Sequence, residues 1–460
     1  MDMTGRPQND YLKSIGSRIL CELNDLKRTI ETAAIELGYS TDELENILNG
    51  YTDESKVHKL IEKMGTLYPI DHLQLSLLRD DTINGIKFFS ASSSQKSKRT
   101  YKRTNRHAEL TNYYEYRDTA MSKLSLFKPE WIAVLREVND SNAHNLDIVM
   151  NNGHFMHQVT MFIGPVNFYY EDSNGDRHCC EMNTGDSNYI TPFMKHSFAS
   201  RDKNKFTCII AVTFGADVSR SQRELYALGE IALKSYIINN NQNGSRKLIK
   251  QYMKNNFFTV EILNSITQKD GVDIEKIFSS EREINHDEYK IISKALGVEV
   301  GNLQPPRCGY EQECIIKYIN ETNPMTYTVA NQSRYKIHTL AKTLKIPSMT
   351  SSIIEVLKKE HNKSDWFRKS LHTYIINFSD HPVEMKWRTA DDIFTKVIEK
   401  YDSVYLKPFI EFSFANKSSE SSSLFVVGIP TSVGTQAQKE LSSLMEPNRV
   451  INDLERWYDY

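Results

Sequence analysis

Two histidines and a glutamine within residues 151–198 carry the strongest chemical signal in this chain. The stretch reads NNGHFMHQVTMFIGPVNFYYEDSNGDRHCCEMNTGDSNYITPFMKHSF. If the segment after Gly153 is extended, His154, Met156 and Gln158 share one face and His157 points to the other. His196, beyond the Pro192 break, comes from a neighbouring strand and adds a second imidazole. Two ring nitrogens and one neutral amide oxygen on one side of a metal leave the opposite positions open. That suits non-haem iron(II), which must take both a substrate and dioxygen. An alternative set of His157 with Glu171 or Asp186 would keep a carboxylate. It needs a strand bulge, because His154 and His157 differ in parity. A histidine in a β-rich chain is ordinarily a core or surface residue and glutamine is an uncommon ligand, so the surrounding elements have to be weighed as well.

Short β-branched and aromatic runs alternate here with turns at Gly164-Pro165, at Ser173 to Asp176 and at Thr184-Gly185-Asp186. Consecutive antiparallel strands are the expected outcome. The succession has the two-motif layout of a cupin, a jelly-roll β-barrel with a metal at its mouth. A usual cupin first motif places His, His and Glu inside, whereas this one places His, Met and Gln. Candidate strands at 131–138 and 146–150 lead into the stretch, and 206–214 closes the barrel.

Before the barrel, residues 11–75 carry apolar residues at helical spacing: Leu12, Ile15, Ile19, Leu20, Leu23 and Leu26, then Ile30, Ala33, Ala34 and Leu37 up to Gly38. Ser40 and Glu43 form a capping box for a helix with Leu44, Ile47 and Leu48. Helix, glycine turn and capped helix make a helix-turn-helix pattern. The second helix carries Asp42, Glu43 and Glu45 and no Lys or Arg, which is repulsive beside a phosphate backbone. A structural or substrate-shielding role is expected, with no nucleic-acid partner. Next comes a polar loop with Lys96, Lys98, Arg99, Lys102, Arg103 and Arg106, mostly a solvated face. Arg106 precedes the cluster Tyr113, Tyr114 and Tyr116, and a guanidinium with phenols makes an oxyanion clamp.

The pattern then repeats. Gly16-Ser17-Arg18 has a counterpart in Gly244-Ser245-Arg246, and helical spacing resumes at Leu248, Ile249, Met253, Phe257 and Phe258. More candidate strands follow at 372–378, 404–414 and 423–429. The expected fold is α+β, a tandem duplication of a helix-turn-helix-like helical module and a cupin β-barrel. Its parts are a Cro-like helical module at 1–85, a metal-bearing barrel at 86–225, a second helical module at 226–310 and a degenerate barrel at 311–460. His338, His361, His372 and His381 lack the Gly-His-x-x-x-Gln spacing, so the second barrel is expected to hold no metal.

With 460 residues, 39% hydrophobic and 25% charged, the chain can bury several cores. A net charge of −2 offers no general attraction to nucleic acid or membrane. No apolar run approaches the ~20 residues of a membrane span, and the first residues lack a signal-peptide core. The six cysteines form no CxxC framework and are expected to be reduced thiols in a cytoplasmic protein.

A Cro-like module joined to a cupin, with Asn-x-Gly-His at the first metal position, resembles the phosphonate-processing non-haem iron oxygenases. In the family's epoxidases the triad is His-x-x-x-Glu with a distant His. In its hydroxyethylphosphonate dioxygenases a Glu lies six residues before the last His. Those two positions here are Gln158 and Ile190, and the absence of both carboxylates matches the methylphosphonate-forming branch. The resemblance implies an Fe(II) dioxygenase that cleaves the carbon–carbon bond of 2-hydroxyethylphosphonate to give methylphosphonate and bicarbonate. It implies His154, Gln158 and His196 as metal ligands and Asn151, Arg106 and Tyr114 as phosphonate contacts, with Tyr116 competing for the place of Tyr114. Lys27, eleven residues before Gly38, matches a helical-module lysine that reaches an active site of its own or a neighbouring subunit. Lys27 and Tyr114 are implied to be catalytic as well, and a homo-oligomer is expected. The alternatives are a dioxygenase making hydroxymethylphosphonate and formate, and a ligand-sensing transcriptional regulator.

Overall fold

Apolar spacing at the N-terminus becomes four helices: α1 (Asp10–Asp25), α2 (Ile30–Leu37), α3 (Thr41–Leu48) and α4 (Glu54–Leu67). The computed structural model describes residues 9–238, 243–305, 314–329, 331–361, 366–390, 392–453 and 455. Leu12, Ile15, Ile19 and Leu23 of α1 pack with Leu44, Ile47 and Leu60 in one apolar core. The Ser40–Glu43 capping box is formed, and α2 ends in a left-handed Gly38. This core belongs to a compact unit made of Met1–Lys87, Ser122–Ser125 and Pro430–Tyr460.

The second compact unit holds Phe88–Met121 and Leu126–Ile429. Its helices are α5 (Ala91–Lys96), α6 (Asp217–Tyr236), α7 (Asn243–Asn255), α8 (Val260–Thr267), α9 (Ile274–Ser279) and α10 (His286–Leu296). Ile249, Leu263, Ile274 and Ile292 share a core among the last four. Among the described residues no helix is long and apolar enough to cross a membrane. Cys21, Cys179, Cys180, Cys208 and Cys314 are free thiols; Cys308 lies outside the described residues.

The first strands in chain order are β1 (Ile86–Phe89), an edge of the second-half sheet, and then β2 (Arg99–Thr104), β3 (Leu110–Asp118), β4 (Phe127–Val134), β5 (His157–Ile163), β6 (Val166–Glu171), β7 (Arg177–Met182), β8 (Ser187–Ile190), β9 (His196–Ser200), β10 (Cys208–Phe214) and β11 (Cys314–Lys317), whose sheets bear the histidine stretch. Residues 146–150, expected as a strand, form turns and extended coil.

The cupin barrels of the sequence reading are corrected here: no sheet closes on itself. One open sheet runs β11-β8-β5-β10-β4-β3-β2, and β7-β6-β9 forms a separate sheet of three. The second half likewise has an open sheet of seven strands and one of four. Consecutive strands β5 and β6 lie in different sheets, because the chain turns a corner at Gly164, whose φ of 85° suits only glycine. Phe162, Ile190 and Ile209 of the first sheet pack against Phe168, Met182 and Phe198 of the second. Period-2 alternation dictates which side chains point inward. It is the same whether the two layers are joined by edge hydrogen bonds or only by packing, so it could not distinguish a barrel from two facing sheets. The two halves also interlock, since β11 extends the first sheet by pairing with β8, Cys314 opposite Ile190.

Candidate metal centre

The three candidate donors come from two strands and the loop before one of them. Gln158 is the second residue of β5 and His196 the first of β9, while His154 precedes the strand altogether. Gly153 has φ 73°, and a Cβ there would lie 2.4 Å from the Phe193 backbone. The Phe193 N–H donates to the His154 carbonyl at 2.8 Å. This left-handed turn, and not strand alternation, aims the His154 ring.

His154 Nε2 lies 3.1 Å from Gln158 Oε1, and the His154 and His196 rings stand 5.4 Å apart at 86°. The Gln158 amide nitrogen donates to Thr160 Oγ1 at 2.8 Å, which turns its oxygen toward His154. His196 Nδ1 is 2.9 Å from the Met194 carbonyl, so that nitrogen carries the proton and Nε2 presents a lone pair. Burial pushes the His196 imidazolium down to about 4, with the nearby His154 and Arg103 acting in the same direction. The ring is therefore neutral, the form a metal requires. Asn151 braces it: its Oδ1 accepts from the His196 and Gly153 N–H groups at 2.9 and 3.0 Å, and its Nδ2 sits 3.1 Å from His196 Nε2.

These residues fit a bound metal ion. Two donors each about 2.1 Å from one ion at a right angle stand about 3 Å apart, close to the His154–Gln158 separation. His154 Nδ1 is buried with no hydrogen-bond partner among the described residues. Among the described residues no group of three His, Cys, Asp or Glu could hold a metal, so a site here has to use the amide. The carboxylate alternative does not assemble. His157 faces the other way, bonding Tyr189 Oη at 2.7 Å and stacking on Tyr189 and Phe214. Glu171 pairs with Lys195 at 2.6 Å, and the Asp186 carboxylate accepts from the Asn183 and Ile319 N–H groups.

No protein-family profile matches this sequence. The chain is 34% identical over 457 residues to the methylphosphonate synthase of Nitrosopumilus maritimus (strain SCM1), covering 98% of this chain and 97% of that one. The chain belongs to the methylphosphonate synthase family. A solved structure of Streptomyces albus HEPD, with substrate 2-hydroxyethylphosphonate and Fe(II) bound, matches with a TM-score of 0.88 at 27% identity, covering 98% of this chain and 99% of that one. A variant of 2-hydroxyethylphosphonate dioxygenase shares the fold, with a TM-score of 0.74 at 17% identity over 95% of this chain and 99% of that one. The methylphosphonate synthase match runs through both halves of the chain.

In this member of the methylphosphonate synthase family the oxyanion-clamp residues are distributed differently from the sequence reading. Arg106 follows β2 and is committed to Asp147, its Nε 2.7 Å from Oδ2. It lines an open cleft with Asp140, Arg201 and Lys203 that contains none of the three donors. Tyr114 Oη accepts from the Phe198 N–H at 2.8 Å and lies 3.2 Å from Ser197 Oγ, so it clamps β9. Tyr116 is half-buried against Tyr101 and Tyr114, its phenol pushed up to about 12 by burial. Lys27 sits in the left-handed turn after α1, in the other unit, its ammonium 3.4 Å from the Asn24 carbonyl.

Arg103 is the cation that sequence reasoning passed over. Its guanidinium lies over the rings of Tyr113 and Tyr114, 4.8 and 5.3 Å from their centroids, and donates to the Val149 carbonyl. Its charge reaches His196. A bulge between Tyr101 and Lys102 disrupts the β2–β3 register, and both Tyr113 and Tyr114 are buried as a result. The bulge was the missed signal: two adjacent tyrosines facing inward violate alternation.

The second half contains the same framework without the donors. The Phe409 N–H donates to the Lys369 carbonyl at 2.7 Å, as Phe193 does to His154, and both phenylalanines have positive φ, 67° and 65°. His372 Nδ1 meets Tyr405 Oη at 2.7 Å, as His157 meets Tyr189. Tyr335 Oη clamps Phe414 as Tyr114 clamps Phe198. The strand registers agree, Thr373 opposite Leu406 matching Gln158 opposite Ile190. Lys369, Thr373 and Phe412 thus stand where His154, Gln158 and His196 stand in the first half.

Proposed function

We propose that this enzyme uses iron(II) and dioxygen to cleave the carbon–carbon bond of 2-hydroxyethylphosphonate, giving methylphosphonate and bicarbonate. The observation that carries this reading is the convergence of His154, Gln158 and His196 with no carboxylate among them. Bound iron would supply a redox centre at which dioxygen meets the substrate. The protein would hold it through two imidazoles and an amide oxygen, leaving the site one charge more positive than a carboxylate set. One substrate and one dioxygen account for all atoms of methylphosphonate, bicarbonate and one proton, so no organic co-reductant is required. Arg103 would neutralise the phosphonate and Asn151 would donate a hydrogen bond to it, aligning it against the donors, each such charge-assisted bond contributing about 1.5–3 kcal/mol. The resemblance adds Lys27, whose part Lys27→Ala tests through KM. The acidic α3, with Asp42, Glu43 and Glu45 and no basic residue, supports a helical module that serves the enzyme and not DNA.

The test is phosphorus NMR of the product after anaerobic loading with Fe(II), addition of 2-hydroxyethylphosphonate and admission of oxygen. A methylphosphonate resonance supports the reading. Hydroxymethylphosphonate with formate would assign the dioxygenase reaction instead. No oxygen uptake together with salt-sensitive, sequence-selective DNA binding would make the chain a regulator.

A further inference from the structure

We propose that Thr160 and Asn188 are positioning residues for Gln158, forming a polar column that keeps its amide oxygen forward, with Asn188 joined to Thr160 through a bound water. The inference rests on Gln158 being a metal donor. A carboxamide has an accepting end and a donating end of nearly equal size, so something must decide which end faces the metal. Here the Thr160 hydroxyl takes the Gln158 N–H at 2.8 Å.

Thr160 is fully buried, opposite Asn188 across the β5–β8 ladder, with both side chains on the face that carries Gln158 and Ile190. Asn188 is also fully buried, and neither atom of its amide has a hydrogen-bond partner among the described residues. An unpartnered carboxamide in a core is destabilising, and an apolar side chain of similar size would hold the same place at less cost. A water bonded to both groups satisfies the amide and gives the Thr160 hydroxyl a fixed direction.

The second half of the chain is a control. At the places of Gln158, Thr160 and Asn188 it carries Thr373, Ile375 and Val404, in the same register and just as buried. The framework folds with an apolar column when the donors are absent. The polar column accompanies the donor set, which a purely architectural role does not require.

The test compares Thr160→Val, Thr160→Ser and Asn188→Val with the unsubstituted protein. Fe(II) affinity is read by anaerobic titration, and thermal stability is read on metal-free protein. Loss of outer support typically weakens a metal site 10–100-fold. Thr160→Val and Asn188→Val are expected to weaken Fe(II) binding by at least about tenfold, with Thr160→Ser close to the unsubstituted protein and Asn188→Val no less stable to heat. Affinities within about twofold for both valine variants would overturn the proposal, as would a weakening matched by an equal loss in Thr160→Ser. If one valine variant fails to fold, the other reads the column alone. If the unsubstituted protein binds no Fe(II), the reading of Gln158 as a donor fails first, and with it the column.

Discussion

Gln158 and Ile190 are register partners on β5 and β8, both buried, with their side chains on one face of the ladder. One inward place can therefore be filled from either strand, and Ile190 is the position where the resemblance puts a glutamate in the hydroxyethylphosphonate dioxygenases. Gln158→Ala should abolish tight Fe(II) binding, and adding Ile190→Glu should restore it from the facing strand. The product should then shift toward hydroxymethylphosphonate. Anaerobic titration and phosphorus NMR decide this; a double variant that binds no better than Gln158→Ala would show that the two places are not equivalent.

Arg103 and Arg106 make opposite predictions although they are three residues apart. Arg103 stacks on buried tyrosines beside His196, whereas Arg106 is held at the surface by Asp147. Arg103→Met should raise KM for 2-hydroxyethylphosphonate by roughly 10–150-fold, the equivalent of one lost charge-assisted bond. Arg106→Met should leave it within about twofold. The reverse order in steady-state oxygen uptake would return the phosphonate contact to Arg106.

Tyr114 and Tyr335 make the same backbone clamp, one beside the donor set and one far from it in sequence. Each phenylalanine substitution leaves a buried N–H without its partner and should lower stability by about 1–3 kcal/mol. Denaturant unfolding should therefore report similar losses for Tyr114→Phe and Tyr335→Phe. A rise in KM for Tyr114→Phe without a loss of stability would instead make its hydroxyl a substrate contact.

Burial pushes His157, His196 and His372 each down to about 4. The unfolded chain takes up these protons near pH 6.5 and the folded chain does not. Stability is thus fully present above about pH 6.5 and falls as the pH drops toward 4, where the folded rings begin to protonate. The Tm of metal-free protein should decline across that window. His372→Asn offers Tyr405 a polar partner without a titrating ring, and should flatten the decline; an identical slope would remove His372 as a cause.

How much of this was legible in the chain depends on the range over which each feature is determined. The helices were readable because their signals are local: apolar residues every three or four positions, a capping box at Ser40 and Glu43, a left-handed Gly38. The histidine stretch was readable as residue types and spacing. Whether the sheets close was not, because alternation is blind to which strand edges meet. The direction of the His154 ring depends on Gly153 lying against Phe193, forty residues on. The choice between Arg103 and Arg106 depends on a bulge that only the pairing of β2 with β3 creates. The sequence by itself determined which groups are available and which local elements carry them. Tertiary structure alone decided which of those groups share a face, because that is set by contacts between strands far apart along the chain.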